Sequence, residues 1–393
     1  MLRNTSPQKF VQTLVENAPQ GPIGIVSQTG GGKNQVLRSL LTSVIAPTQD
    51  PASRVIVWAV SGDLFSKIPC PDRDLLLFNP SDARGVYWDI ASDLTDPLSI
   101  SVFADSLASE IIPATPEPFW RAAARQVLET SVTSLLGGPW TWGDLAKKVE
   151  TYGESRQCLP TLLTWLQLAA DRLCPTNRLP FSISAWYAHP SVDKLPGDPW
   201  RGHTDLQGRR VLVFSNPKPT GENGENLFDP LIEVFLKLRL LKTHTKPEET
   251  TWLFIPSIDR VVETHRSSLR GVVSQGRSQG LQLVASFPNL GWLADLSTPG
   301  QPGVDLFLPS VFALILGRSE HIVFRTKAVY GGLGGSEFRG LMGCQPAVKT
   351  MLGPTPEGIQ TLGVCALDNN VRKLLWPYVT WQEVREKFVR TNA

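Results

Sequence analysis

The sequence predicts an α/β fold of the P-loop nucleotide-binding kind, with a mainly parallel sheet and an all-helical insertion, and three observations predict it. A short apolar run from Ile23 to Ser27 closes on a glycine cluster, and a helical pattern follows from Val36 to Ile45. Strand, tight loop and helix in that order are what a phosphate loop requires. Further short runs rich in β-branched residues and leucine stand at Arg54–Val60, Leu75–Phe78, Val211–Ser215, Trp252–Ile255, Leu281–Ala285, Val311–Leu316 and Ile322–Phe324, and read as buried strands of a parallel sheet covered by helices. Between residues 98 and 176 the character changes to helical periodicity.

Within that block, the stretch PFWRAAARQVLETSVTSLL places Trp120, Ala124, Val127, Ser131 and Leu135 at a helical period, with Pro118 suited to the first turn. Leu162–Leu173 continues the pattern after Pro160. Tyr187–Gln207 is rich in Pro, Gly, Asp and His and reads as a long loop. A helix is expected from Pro230 to Leu241, another from Arg260 to Gly276, and a last one near Trp381–Val389 after a second Pro- and Gly-rich stretch. The expected organisation is a nucleotide-binding domain begun by residues 1–97, interrupted by a helical insertion over 98–180, and resumed over 181–353, with a C-terminal segment over 354–393 that carries the terminal helix.

Composition narrows the class. A chain of 393 residues with 41% hydrophobic content can bury a full core, as one large domain with an insertion or as two domains. The 38 basic and 36 acidic side chains nearly cancel to a formal +2, so no global field announces a nucleic-acid partner. Five cysteines without a CxxC pair exclude a secreted disulfide scaffold and point to reduced thiols. No run approaches the roughly 20 apolar residues that cross a bilayer, and MLRNTSPQKFVQTL lacks a signal-peptide core. A cytoplasmic protein is expected, reaching a membrane only through a partner protein.

The candidate phosphate loop is Ser27, Gln28, Thr29, Gly30, Gly31, Gly32, Lys33 and Asn34. It departs from GxxxxGK[ST] at both ends, with Ser27 in place of the first glycine and Asn34 in place of the hydroxyl residue. Its centre is intact: the three glycines leave backbone N–H groups bare, and Lys33 opens a helix whose N-terminus favours anions. ATP or ADP is the expected ligand. Asn34 offers a carbonyl oxygen to Mg2+ but is a poorer ligand than a hydroxyl, so metal binding is expected to be weak or absent. Hydrolysis also needs an acidic pair at a neighbouring strand end, yet the strand Trp252–Ile255 ends in Pro256 and Ser257. Asp259 serves only if the chain turns back, and Glu263 lies further away.

Other side chains carry two readings each. Arg121 and Arg125, at i and i+4, suit phosphate contacts or solvated positions at a helix start. His189 and His203, with Asp193, Asp198 and Asp205, make a candidate metal set or an ordinary polar loop. Among twelve tryptophans, Trp140, Trp142 and Trp186 with Tyr187 are either base-stacking platforms or buried aromatics.

Longer phrases add a resemblance. GIVSQTGGGKNQVLRSLL, RVIVWAVSGDLF, LLLFNPSDARGVYWDI, PFWRAAARQVLETSVTSL, TTWLFIPSIDRV, LRGVVSQGRSQGLQLVASFPNL and LGGSEF occur in an order that resembles the cytoplasmic ATPase domain of type IV coupling proteins, the TraD/TraG class of conjugation and type IV secretion, over about residues 20–340. FNPSDARGVYWD followed by PFWRAAAR is more specific than the phosphate loop. The resemblance implies a RecA-like motor with a helical insertion, assembled as a homo-oligomeric or heteromeric ring that handles DNA or protein substrates. The loop lies within about twenty residues of Met1, so that family's usual membrane anchor is not expected before it.

Carried over residue by residue, the family's loop lysine falls on Lys33 and its hydroxyl residue on Asn34. Its acidic pair falls on Pro256 and Ser257, its Asp-Pro-Lys-Gly phrase on Ala59, Val60, Ser61 and Gly62, and its phosphate-sensing glutamine near Ala285, before Ser286. Arg277 in GRSQG matches the family's arginine and is a candidate for contact with nucleotide or a neighbouring subunit. These departures imply a degenerate member with weak nucleotide binding, little or no hydrolysis and a structural or regulatory role. The alternatives are an active DNA-translocating ATPase whose acids come from elsewhere, and an interaction module that keeps only the fold.

Overall fold

The structure is a computed structural model of the chain. It describes residues 3–4, 11–12, 15, 21–26, 33–46, 53–59, 62–112, 118–152, 159–173, 178–187, 209–215, 227–241, 250–258, 261, 269–288, 313–316, 360–367, 370–377, 383–386 and 389. In chain order the strands are β1 (Arg3–Asn4), β2 (Ile23–Val26), β3 (Arg54–Ala59), β4 (Leu75–Phe78), β5 (Tyr87–Trp88), β6 (Pro180–Phe181), β7 (Val211–Ser215), β8 (Thr251–Ile255), β9 (Leu281–Phe287), β10 (Ala313–Leu316), β11 (Gln360–Leu367) and β12 (Asn370–Pro377). The helices are α1 (Lys33–Ile45), α2 (Pro97–Ile111), α3 (Pro118–Leu135), α4 (Trp142–Glu150), α5 (Leu159–Arg172), α6 (Ile183–Tyr187) and α7 (Phe228–Leu241). The chain forms two compact units, one of residues 1–60, 67–69 and 244–385, the other of 61–66, 70–243 and 386–393.

The first unit is built on a sheet in which β10, β2, β9, β8 and β3 are successive parallel neighbours. The glycine-loop strand β2 is therefore central, which is the doubly wound, RecA-like arrangement expected. Ile23, Ile25, Val55, Val57, Leu253, Phe254, Leu283 and Val284 are all buried, which is why these runs are apolar throughout rather than alternating. Helix α1 covers this sheet with Val36, Leu37, Leu40, Leu41 and Val44, spaced along one face.

Beyond β10 the sheet turns antiparallel through β11 and β12, and β1 adds to β12 in parallel. This differs from the expectation for the C-terminal segment. Residues 383–386 and 389, inside the expected terminal helix, are not helical, and the order upstream of them is a strand hairpin. The strand Ile322–Phe324 and the loop residues 188–208 lie outside the described residues.

The second unit holds the helical block. Its first helix starts where the capping chemistry dictates: Asp96 Oδ1 accepts from the N–H groups of Leu98 at 2.9 Å and Ser99 at 3.0 Å, with Pro97 in the first turn. Thr141 and Asp144 form the same reciprocal box for α4. Helices α2 and α3 pack together, as do α4 and α5, while α7 lies against α2. Strands β4 and β7 pair in parallel, and their Phe78 and Phe214, 4.9 Å apart, join Trp88, Phe181 and Phe235 in one aromatic core. No described helix is long and apolar enough to cross a membrane.

Candidate nucleotide site

Residues Ser27, Gln28, Thr29, Gly30, Gly31 and Gly32 lie outside the described residues. Their two flanks are described. Upstream, β2 ends at Val26; downstream, α1 begins at Lys33, which is half-buried, with Asn34 exposed beside it. A thirteen-residue helix therefore follows the central strand with its positive dipole end at Lys33. The carboxyl end of a parallel sheet is where ligands of such folds bind.

Two neighbouring strands finish at the same level. Ile25 and Val26 of β2 register with Ser286 and Phe287 of β9, and Ile255 of β8 registers with Ala285. The positions that sequence carry-over assigned to acids and to a phosphate sensor are thus brought together beside the loop. Their chemistry is closed upon itself. The Ser286 hydroxyl donates to the Pro256 carbonyl, and the Ile258 N–H donates to the Ser286 carbonyl at 3.1 Å. Pro256 and Ser257 offer no carboxylate, Ile258 is fully buried, and Asp259 and Glu263 lie outside the described residues. The residues present fit phosphate oxygens. Among the described residues no three potential metal-binding side chains cluster, and Asn34 is the one expected Mg2+ ligand that is described.

Arg277 stands elsewhere. It is exposed on the short 3-10 turn Gly276–Gln279 that precedes β9, after residues 269–275, which are helical. Gly280, at φ 66, turns the chain into the strand, and its carbonyl accepts from Thr251 at the start of β8. Arg277 therefore sits at the amino end of β9, seven residues of strand away from the end at which Lys33 lies, or roughly 20 Å.

The remaining candidates separate by exposure and pairing. Arg121 donates to the Ser109 and Ile112 carbonyls at 3.0 and 2.9 Å, satisfying the end of α2. Arg125 bonds Glu129, Ser101 and Asp105 on its own helical pair. Trp140, Trp142 and Trp186 are buried, with the Trp142 and Trp186 indole N–H groups donating to the Trp88 and Arg209 carbonyls, so they are core aromatics rather than stacking platforms. Tyr187 packs under the Arg239 guanidinium. His189, His203, Asp193, Asp198 and Asp205 lie outside the described residues.

The phrase FNPSDARGVYWD, the more specific part of the sequence signature, is scaffold. Asn79 accepts from the Ser81 N–H at 2.9 Å in a tight turn, and a Cβ on Gly85 would collide with the Asn79 carbonyl. Just beyond the phrase, the carboxylate of buried Asp93 collects the Trp88 indole N–H, the Ile183 and Ser184 main-chain N–H groups and the Ser184 hydroxyl, all at 2.8 Å. Sequence reasoning passed over Asp93 and Ser286. A polar residue between apolar stretches is the only signal either one gives.

A central parallel strand, a helix opening on lysine at its carboxyl end and a helical insertion define the class of P-loop nucleotide-binding α/β proteins. Residues 12–169 match the family model of the type IV secretion-system coupling protein DNA-binding domain. Over that segment, less than half of its length, the chain is similar to type IV coupling proteins. Its fold is similar over nearly its whole length to solved coupling-protein structures. Plasmid coupling protein TrwB in complex with ADP and Mg2+ superposes with TM-score 0.62 at 16% identity, covering 99% of this chain and 97% of that one. The complex of TrwB with the ATP analogue ADPNP gives 0.62 at 17% identity, covering 100% and 97%. VirB4 of Thermoanaerobacter pseudethanolicus gives 0.52 at 14% identity, covering 91% and 89%. These likenesses speak to fold alone. No curated protein sequence matches the chain.

Proposed function

We propose that the chain is a nucleotide-binding coupling-protein subunit of a conjugation or type IV secretion machine, one that holds nucleoside di- or triphosphate at the N-terminus of α1 and hydrolyses it slowly or not at all. The observation that carries the binding half is the position of Lys33, which opens a long helix after the central strand, where a point charge and the positive end of a helix dipole favour phosphate. Relatives of the same fold bind ADP with Mg2+ and the ATP analogue, which supports nucleotide as the ligand. The hydrolytic half rests on β8, whose end presents Pro256 and Ser257 in a turn closed by Ser286. Without a carboxylate to hold the metal and orient water, the in-line attack loses its electrostatic support. Its role is then structural or regulatory within a ring of its own copies or of active relatives.

The second reading, an active DNA-translocating ATPase, is favoured by the family-model match over residues 12–169 and by the ADP and Mg2+ held by a protein of similar fold. It requires acids from Asp259 or a partner subunit, and gives Arg277, distant from its own Lys33, a phosphate bound by a neighbouring copy. Steady-state ATP turnover with and without single-stranded DNA separates the two. Rates of about 1–100 per second would establish the active motor; turnover at background under both conditions is the expected result.

A further inference from the structure

The loop after β4 and the C-terminal segment meet at one buried carboxylate. Asp82 is 1% exposed. Its Oδ1 accepts from the Arg84 main-chain N–H and Nε, both at 2.9 Å, and its Oδ2 accepts from Arg84 Nη2 at 2.7 Å. Oδ2 also takes the main-chain N–H of Val389 at 3.1 Å. In return the Ala83 N–H donates to the Val389 carbonyl at 2.9 Å. Both main-chain groups of Val389 are thus bound, as they would be by a neighbouring strand.

Arg84 completes the arrangement. Its Nη1 donates to the Glu386 carbonyl at 3.0 Å, and its guanidinium lies 5.1 Å from the centre of the Phe65 ring. The hydrogen bonds to Glu386 and Val389 all run to their backbone, and the Glu386 carboxylate adds electrostatic attraction to the Arg84 guanidinium. On its other flank the loop returns to its own strand: the Val86 N–H donates to the Leu77 carbonyl of β4 at 2.8 Å. β4 ends the strand order, and an outermost strand needs such cover to keep its unpaired groups from other chains.

We propose that Glu386 and Val389 are a latch, with the Asp82 carboxylate and Ala83 N–H gripping the Val389 main chain and Arg84 the Glu386 carbonyl, so that the order of loop 79–86 along β4 depends on the seating of these two residues. Within the loop Pro80 and Val86 are the buried apolar side chains and Arg178 holds the Pro80 carbonyl, so the middle of the loop, Asp82 to Arg84, is the part that the docked residues hold.

Hydrogen exchange on the full chain tests this. Val389→Pro deletes the N–H that Asp82 accepts, while Val389→Ala keeps it. The expected result is at least about tenfold faster exchange at Ala83, Gly85 and Val86 in the proline variant, with α2 and α5 as protected as in the parent and the alanine variant unchanged. Unaltered exchange of loop 79–86 in Val389→Pro would overturn the latch. So would equal acceleration in Val389→Ala, because packing of the side chain would then be the hold. A chain ending at Arg385 gives the same readout if the proline variant does not fold: loop exchange as slow as in the parent overturns the proposal, and fast exchange confined to the loop supports it.

Discussion

The strand ends around Lys33 and the loop after β4 both follow buried parallel strands, and both carry the polar, glycine-bearing phrases by which the sequence is distinctive. They differ in what their polar groups face. Around Asp82 and Asp93 every carboxylate oxygen accepts hydrogen bonds from the protein itself. After β2 a helix opens on Lys33, whose charge and positive dipole end favour an anion. The lesson is that a distinctive phrase can be scaffold as readily as site. FNPSDARGVYWD is distinctive because it knits a turn and a helical block together, while the glycine phrase is distinctive for its spacing before Lys33.

Variants that sharpen this contrast differ in size of effect. Asp93→Ala strands the indole of Trp88 and the main-chain N–H groups of Ile183 and Ser184, and should cost at least about 3 kcal/mol in denaturant unfolding while leaving the phosphate affinity of any folded fraction unchanged. Loss of nucleotide affinity from the folded fraction would break the division between scaffold and site. Ser286→Ala removes the hydroxyl that closes the turn after β8 and should cost about 1 kcal/mol; if Ser286 instead read phosphate, nucleotide affinity would fall with little change in melting.

The smallest effect is set by pH. The Thr141 hydroxyl and main-chain N–H hold the Asp144 carboxyl below its usual range. A depressed folded value means that this stabilisation is complete above the unfolded value, about 3.9, and is lost as pH falls through the folded one. Asp144→Asn should therefore flatten a slight acid-side slope in stability below about pH 4, and an identical slope in parent and variant would assign it to other groups.

The fold was legible because buried parallel strands leave continuous apolar runs, as in RVIVWA and TWLFI, and because Pro118 marks the first turn of a helical period; the caps at Asp96 and Thr141 were not read from the sequence. The β11–β12 hairpin was not. Gln360–Leu367 and Asn370–Pro377 mix glycine, cysteine, arginine and lysine with their apolar residues, and their pairing across Asp368 and Asn369 was the one turn signal available. At the site, Lys33 and the Pro256–Ser257 pair could be singled out from spacing, since both are matters of residue identity. The closure of Pro256 by Ser286 joins residues thirty positions apart, which only the parallel register of β8 and β9 brings together. Exposure was equally invisible, and it was exposure that turned Trp140, Trp142 and Trp186 from stacking candidates into core.

Calorimetric titration of the purified chain with ATP, repeated with EDTA and with Lys33→Ala, tests the central claim most directly. The account predicts weak binding that EDTA leaves unchanged and that Lys33→Ala abolishes without lowering the melting temperature. No heat at millimolar ATP, or affinity that collapses with EDTA, would contradict it: the first removes the phosphate site, and the second shows a working magnesium shell at a strand end where Pro256 and Ser257 supply none.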